Sequence, residues 1–215
     1  MTVLHHNVTA FTSEDGETYF LQPFEATLNR VEKLWAVVQK HAPLTSDFTR
    51  GDFDFFLGYV LSPGTVFISV FQQVDEKVEE VGVLYADTIV PGLYAKVHFI
   101  FWDLIMRGRQ KVLFTALRGF MDDFKLHKVE IEVPINAYAA LRRLRRMGLL
   151  PEGRRREATK QKGEWLDTLV FGVLDDDVTE EVVDVGAIPI DPANEDWYGM
   201  IQSDTKLGRF LMREE

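Results

Sequence analysis

The residues best equipped for chemistry lie in one stretch, Phe99-Ile-Phe-Trp-Asp-Leu-Ile-Met-Arg-Gly-Arg-Gln-Lys-Val112, which joins the end of a strand to a tight turn and a helix. A helix beginning near Arg109 leaves its first backbone N–H groups without intrahelical partners and aims the positive end of its dipole at Gly108 to Lys111. Arg107, Arg109 and Lys111 add side-chain charge, and glycine at 108 lets an anion approach the main chain closely. Such a turn can cradle a diphosphate. Taken alone it also fits an ordinary helix start, since many carry Gly and Arg.

Two residues beside this turn can move protons. His98 sits on the strand leading into it, and an unperturbed imidazole suits proton transfer near neutrality; the alternative is a core histidine held by hydrogen bonds. Asp103 is the second candidate base, or else a cap for the turn. Trp102 either flanks a bound group or fills the core. His5, His6, His41 and His127 have no metal-ligand spacing, and cysteine is absent, so no metal site is expected.

These residues need a scaffold, and the chain is long enough to build one. Its 215 residues, 46% hydrophobic and 12% aromatic, can bury a core of one domain with a modest appendage. No apolar run approaches the roughly 18 residues of a membrane span, and the N-terminus lacks the basic start and apolar stretch of a secretory signal. A cytoplasmic protein with no membrane association is the expectation. The net charge of −10 argues against a nucleic-acid binder. Charge is unevenly placed: residues 107–162 carry a local +9 and residues 175–215 a local −9. A cationic block inside an acidic chain points to a local anion site, although the group Arg142, Arg143, Arg145 and Arg146 also reads as a solvated helix face.

Periodicity supplies the elements. Apolar residues at Leu28, Val31, Leu34, Trp35 and Val38 predict a helix over 27–41, and Phe53, Phe56, Leu57 and Val60 a shorter one over 52–61. Strands are expected at 18–22, 65–72, 81–90, 94–102 and 128–133, with a last pair at 152–160 and 164–174. The stripe Val112, Leu113, Ala116, Leu117, Phe120, Met121, Phe124 marks the strongest helix, and Ala137 to Met147 forms another, stopped by Gly148. The order is β-α-α-β-β-β-α-β-α-β-β, a mixed α/β domain over 1–174 followed by an acidic extension over 175–215.

Over 99–174 the chain resembles the GNAT acyltransferase superfamily, in particular its ribosomal-protein N-terminal acetyltransferases. The residues that carry the resemblance are the turn described above and the segment from Val129 to Leu174. In the latter, Asn136 leads a helix closed by Met147-Gly148-Leu149. Glu152-Gly153 and three arginines follow, then a strand pair broken at Gly163. Val81-Gly82 also suits the family, and in element order the resemblance extends over 17–174.

The resemblance implies a GNAT-like mixed central sheet with a splayed gap between the strands at 94–102 and 128–133. Acetyl-CoA would lie in that gap as acyl donor. Its pantetheine would meet the backbone of Ile100, Phe101 and Trp102, and its pyrophosphate the turn from Arg107, Gly108, Arg109, Gln110 and Lys111 to Val112, with Asn136 nearby. The activity implied is N-acyl transfer to a primary amine of a protein or small molecule, with His98 or Asp103 as base. Three features depart from the family. Gln110 stands where the phosphate turn usually has Gly or Ala, and Ile105 where it begins with Arg or Gln. Leu144 or a neighbouring arginine replaces the usual thiolate-protonating Tyr, so no catalytic acid is identified. The departures and the 41-residue extension define a second reading, a GNAT-fold interaction protein without turnover, phage-related and virion-associated, that joins a protein partner or its own copies through 175–215.

Overall fold

The computed structural model describes residues 9–13, 16–40, 51–75, 77–102 and 109–178. Asp103, Arg107 and Gly108 lie outside the described residues, as does the extension beyond Val178; of Arg109 only the backbone is described.

Among the described residues, eight strands form a single sheet. They are β1 (Thr9–Thr12), β2 (Thr18–Pro23), β3 (Val66–Val74), β4 (Lys77–Val90), β5 (Tyr94–Phe101), β6 (Lys128–Pro134), β7 (Pro151–Gln161) and β8 (Glu164–Leu174), in the spatial order β1-β2-β3-β4-β5-β6-β8-β7. Among the described residues four helices, α1 (Leu28–Lys40), α2 (Phe53–Val60), α3 (Arg109–Phe124) and α4 (Tyr138–Arg146), cover its faces. The expected elements are present, most within two residues of their predicted ends. Two corrections apply. The sequence reading had no β1, and it started β4 at 81 although β4 begins at Lys77, directly after the turn at Asp75.

The residues explain the layers. Alternation on β5 turns Ala95 and Val97 toward α3, and β6 sends Val129, Ile131 and Val133 the same way. They meet Leu113, Leu117, Phe120 and Met121 of α3 and Leu141 and Leu144 of α4 in the main core. The opposite face is smaller. Val31, Leu34 and Val38 of α1 and Phe56 and Val60 of α2 pack there on Phe67, Val83 and Ile100. Asp52 caps α2, its carboxylate accepting from the N–H groups of Asp54 (2.8 Å) and Phe55 (3.1 Å). Gly148, at φ 77°, takes the left-handed turn that ends α4, and its N–H reaches the Arg145 carbonyl at 2.9 Å.

The sheet is sewn together unevenly. β1 to β5 are antiparallel throughout, and so are β6, β8 and β7. The two sets join only where β5 runs parallel to β6, through Tyr94–Lys128, Ala95–Val129 and Lys96–Glu130. Beyond those three pairs the strands part, while β5 stays bound to β4 as far as Phe101 and β6 stays bound to β8 as far as Pro134. Among the described residues no helix is long and apolar enough to cross a membrane.

Candidate active site

The parting of β5 and β6 makes a wedge, and the backbone direction decides what lines it. The Trp102 N–H donates to the Val81 carbonyl at 3.1 Å, so Trp102 faces β4. Strand alternation puts Ile100 and His98 on that side too and turns the main chain of Val97, Phe99 and Phe101 toward the wedge. Of Ile100, Phe101 and Trp102, expected to meet the pantetheine, only Phe101 turns its backbone to that side. The Trp102 side chain is also engaged, its indole N–H donating to the Glu80 carbonyl at 2.7 Å, and it packs against the core under α1 and α2. Glycine at 82 is required by the same close approach. A Cβ there would lie 2.4 Å from the Phe101 ring and 2.9 Å from the Ile100 carbonyl.

α3 brings its first turn to the open end of this wedge. Its last carbonyl, on Phe124, accepts from the Gly92 N–H at 3.0 Å, just before β5 begins, so the helix runs back along the strand. Sixteen helical residues span about 24 Å and the eight of β5 about 26 Å, so the N-terminus of α3 falls level with Phe101. The backbone N–H groups of Arg109, Gln110 and Lys111, in its first turn, have no intrahelical partner. Gln110 adds a side-chain donor: its Nε2 is buried and has no hydrogen-bond partner. Lys111 points elsewhere, its Nζ donating to the Thr12 carbonyl at 2.8 Å and lying over the Phe11 ring. The Val112 side chain is wholly buried. Asn136 lies in the turn after β6, where its Nδ2 donates to Gln161 Oε1 at 3.0 Å, and Ala137 occupies the N-cap of α4 without a side-chain cap. Leu144, at the place of the missing tyrosine, is fully buried.

His98 lies on the other face of β5, under α2, where it meets two residues that the sequence reading did not select. Its Nε2 is 3.2 Å from Asp87 Oδ2, ion-pair distance but too bent for a regular hydrogen bond. The same carboxylate oxygen accepts from the Tyr59 hydroxyl at 2.5 Å, and Oδ1 accepts from Thr88 Oγ1 at 3.0 Å. The Tyr85 ring lies between the His98 ring, 4.6 Å away, and the Phe67 ring, 4.7 Å away, stacked on both. Burial pushes the Asp87 carboxyl upward, but contacts from His98 and Tyr59 outweigh it and hold it at about 2. Burial raises the Tyr59 phenol far above its ordinary value, with Tyr85 and Asp87 adding to the rise. Asp87 is thus an anion, flanked by a neutral phenol and an imidazole.

Local backbone aims that carboxylate. Directly after Asp87 the β4–β5 register slips, and Thr88 sits at φ 49°, a left-handed conformation unfavourable for a β-branched residue. The signal that could have found Asp87 was its place two residues after Tyr85 on a strand. That becomes informative only with the register that sets Tyr85 opposite His98.

No family model matches the chain, and no curated protein matches it. Solved structures do. RimJ from Mycobacterium smegmatis in complex with CoA-disulfide is 14% identical, with 85% of this chain and 94% of that one superposed at a TM-score of 0.65. Spermidine N-acetyltransferase from Vibrio cholerae in complex with CoA and spermine is 15% identical, covering 74% and 97% of the two chains at 0.62. Mutant forms of the Vibrio cholerae spermidine/spermine N-acetyltransferase SpeG are 16% identical, covering 74% and 95% at 0.59. At such identities the likeness speaks for the fold, and the fold is shared.

Proposed function

We propose, for a chain with the GNAT fold, that it is an N-acetyltransferase taking acetyl-CoA as donor and a primary amine as acceptor. One observation carries this reading: β5 and β6 separate after three residue pairs and leave main-chain groups of Val97 and Phe99 facing a gap instead of a neighbouring strand. The residues at the gap suit a thiol carrier with a diphosphate. The wedge offers peptide groups for an extended amide-bearing arm, and the first turn of α3 offers N–H groups without intrahelical partners, with the orphaned Gln110 amide beside them. A buried donor without an acceptor is unfavourable until something fills its site. When bound, acetyl-CoA supplies an acetyl group already activated as a thioester.

The chain's own residues then have defined tasks. Phe99 and the Val97 carbonyl hold the arm by backbone contact. Gln110 and the first N–H groups of α3 receive phosphate oxygens. His98 accepts a proton from the acceptor nitrogen, which is mostly protonated at neutral pH and must lose it to attack. Asp87 orients His98 and balances the charge it gains, and Tyr59 fixes Asp87 in turn. The departing thiolate takes its proton from solvent, since Leu144 can supply none.

The test is calorimetry of the full chain with acetyl-CoA, paired with an assay of thiol release. Saturable binding that weakens in Gln110→Ala, with thiol release that falls in His98→Gln, is the expected result. Absence of heat sinks the reading and favours the binding protein without turnover, for which Gln110 in the phosphate turn and Leu144 in place of an acid are the supporting observations.

A further inference from the structure

Three rings cross the sheet in a row on the side covered by α1 and α2. Phe67 of β3 is paired with Tyr85 of β4, and Tyr85 in turn with His98 of β5. Register sets such residues side by side on one face, but it leaves their ring planes free. Here the planes agree. Phe67 and Tyr85 differ by 17° at 4.7 Å between centroids, and Tyr85 and His98 by 17° at 4.6 Å. Tyr59 of α2 braces the row from above, its ring meeting Tyr85 edge-on at 6.0 Å and Phe67 at 6.3 Å.

The row ends at His98. Among the described residues no ring stacks on the far side of the imidazole, where β5 and β6 have parted. Continuing the Lys96–Glu130 pairing by two residues would set Glu132 level with His98, but that carboxylate is engaged by Lys96 (2.8 Å) and Arg155 (2.6 Å). At the edge of the imidazole stands Asp87, opposite Lys96 in the β4–β5 register. Its contact with Nε2, 3.2 Å long, is too bent for a regular hydrogen bond, so the carboxylate alone leaves the tilt of the imidazole undetermined. A flat ring stacked on one face determines it, which an aliphatic side chain would not.

We infer that Tyr85 is a positioning residue: its ring, backed by Phe67, fixes the plane of the His98 imidazole and so directs the base toward the gap between β5 and β6. The inference rests on the acetyl-transfer reading. Tyr85 acts through His98, and it acts by its ring and not by its hydroxyl.

The experiment uses the full chain and the variants Tyr85→Phe, Tyr85→Leu and Phe67→Leu. Proton NMR reads the stack without any substrate, because the Tyr85 ring current moves the carbon-bound protons of the His98 imidazole upfield; their signals are assigned by their absence from His98→Gln. The upfield shift should persist in Tyr85→Phe and vanish in Tyr85→Leu. Calorimetry then gives acetyl-CoA affinity, and thiol release with alanine amide or spermidine as probe amine gives kcat. Tyr85→Leu should lose about tenfold or more in kcat, as a misdirected base does, with acetyl-CoA affinity unchanged, while Tyr85→Phe stays within about threefold of the unaltered chain. Should Tyr85→Leu fail to fold, Phe67→Leu takes its place: it loosens the stack from behind, and both the upfield shift and kcat should fall part of the way. A kcat in Tyr85→Leu, or in its substitute, equal to that of the unaltered chain overturns the inference and leaves the transfer reading standing. A loss in Tyr85→Phe as large as in Tyr85→Leu does the same, since it assigns the effect to the hydroxyl. Acetyl-CoA binding by the unaltered chain with neither amine consumed overturns the inference together with the role of His98. No binding of acetyl-CoA overturns the inference and the transfer reading alike.

Discussion

In the proposed site the acceptor side turns on Asp87, because one carboxylate oxygen serves both His98 and Tyr59. If it positions the base, Asp87→Asn should leave acetyl-CoA binding unchanged and lower kcat by on the order of 10²-fold, the usual scale of a lost proton-transfer contribution. Stability should follow the same group. Its carboxyl drops from 3.8 to about 2 on folding, so its contribution is complete above about pH 4 and is lost as pH falls toward 2. Acid unfolding of wild type and Asp87→Asn should therefore diverge above pH 4 and converge by pH 2, with the wild type the more stable at the upper end. His98 was legible in the sequence as an imidazole on a strand beside a helix start. Asp87 and Tyr59 were not. Tyr59 is 28 positions from Asp87, and only strand register and the docking of α2 bring them together.

The elements themselves were largely readable, for a physical reason. Where one face is buried, periodicity is imposed by burial, and α3, with its stripe from Val112 to Phe124, shows this most plainly. β1 escaped because Thr-Ala-Phe-Thr is a four-residue edge strand, mostly exposed, with too little alternation to register. Its pairing with β2, not its composition, makes it a strand. Two predictions belong to this scale. Gly82→Val forces a branched side chain onto the Phe101 ring, and chemical denaturation should record a loss of about 1–3 kcal/mol, typical of overpacking. Lys111→Ala should leave acetyl-CoA affinity close to that of the unaltered chain, because its amine is already bound to the Thr12 carbonyl at the far side of α3; Gln110→Ala should weaken binding. A calorimetric ranking that put Lys111 above Gln110 would contradict the assignment of the helix start.

At the scale of the whole molecule, the proposed boundary at 174/175 can be tested against contacts just beyond it. Val178 is buried against the main core, and Arg118 of α3 bonds to Asp175 and to the Val178 carbonyl. The reference is a chain ending at Val178. A chain ending at Leu174 should melt lower, because it gives up a buried valine and the partners of an arginine, together about 1–3 kcal/mol. The mixed α/β architecture was legible from element order. The opening between β5 and β6 was not: nothing in the residues of either strand says that their pairing ceases after Lys96, and only the family resemblance implied it.

Among the described residues the three pairs at Tyr94–Lys96 are thus the strand pairing that joins a five-stranded slab to a three-stranded slab, with α3 as the chain's bridge across them. A guest held by both slabs would act as a splint. Amide protons at the seam should then exchange with solvent more slowly once the guest is in place, while those deep in β3 and β4, already clamped on both sides, keep their pace.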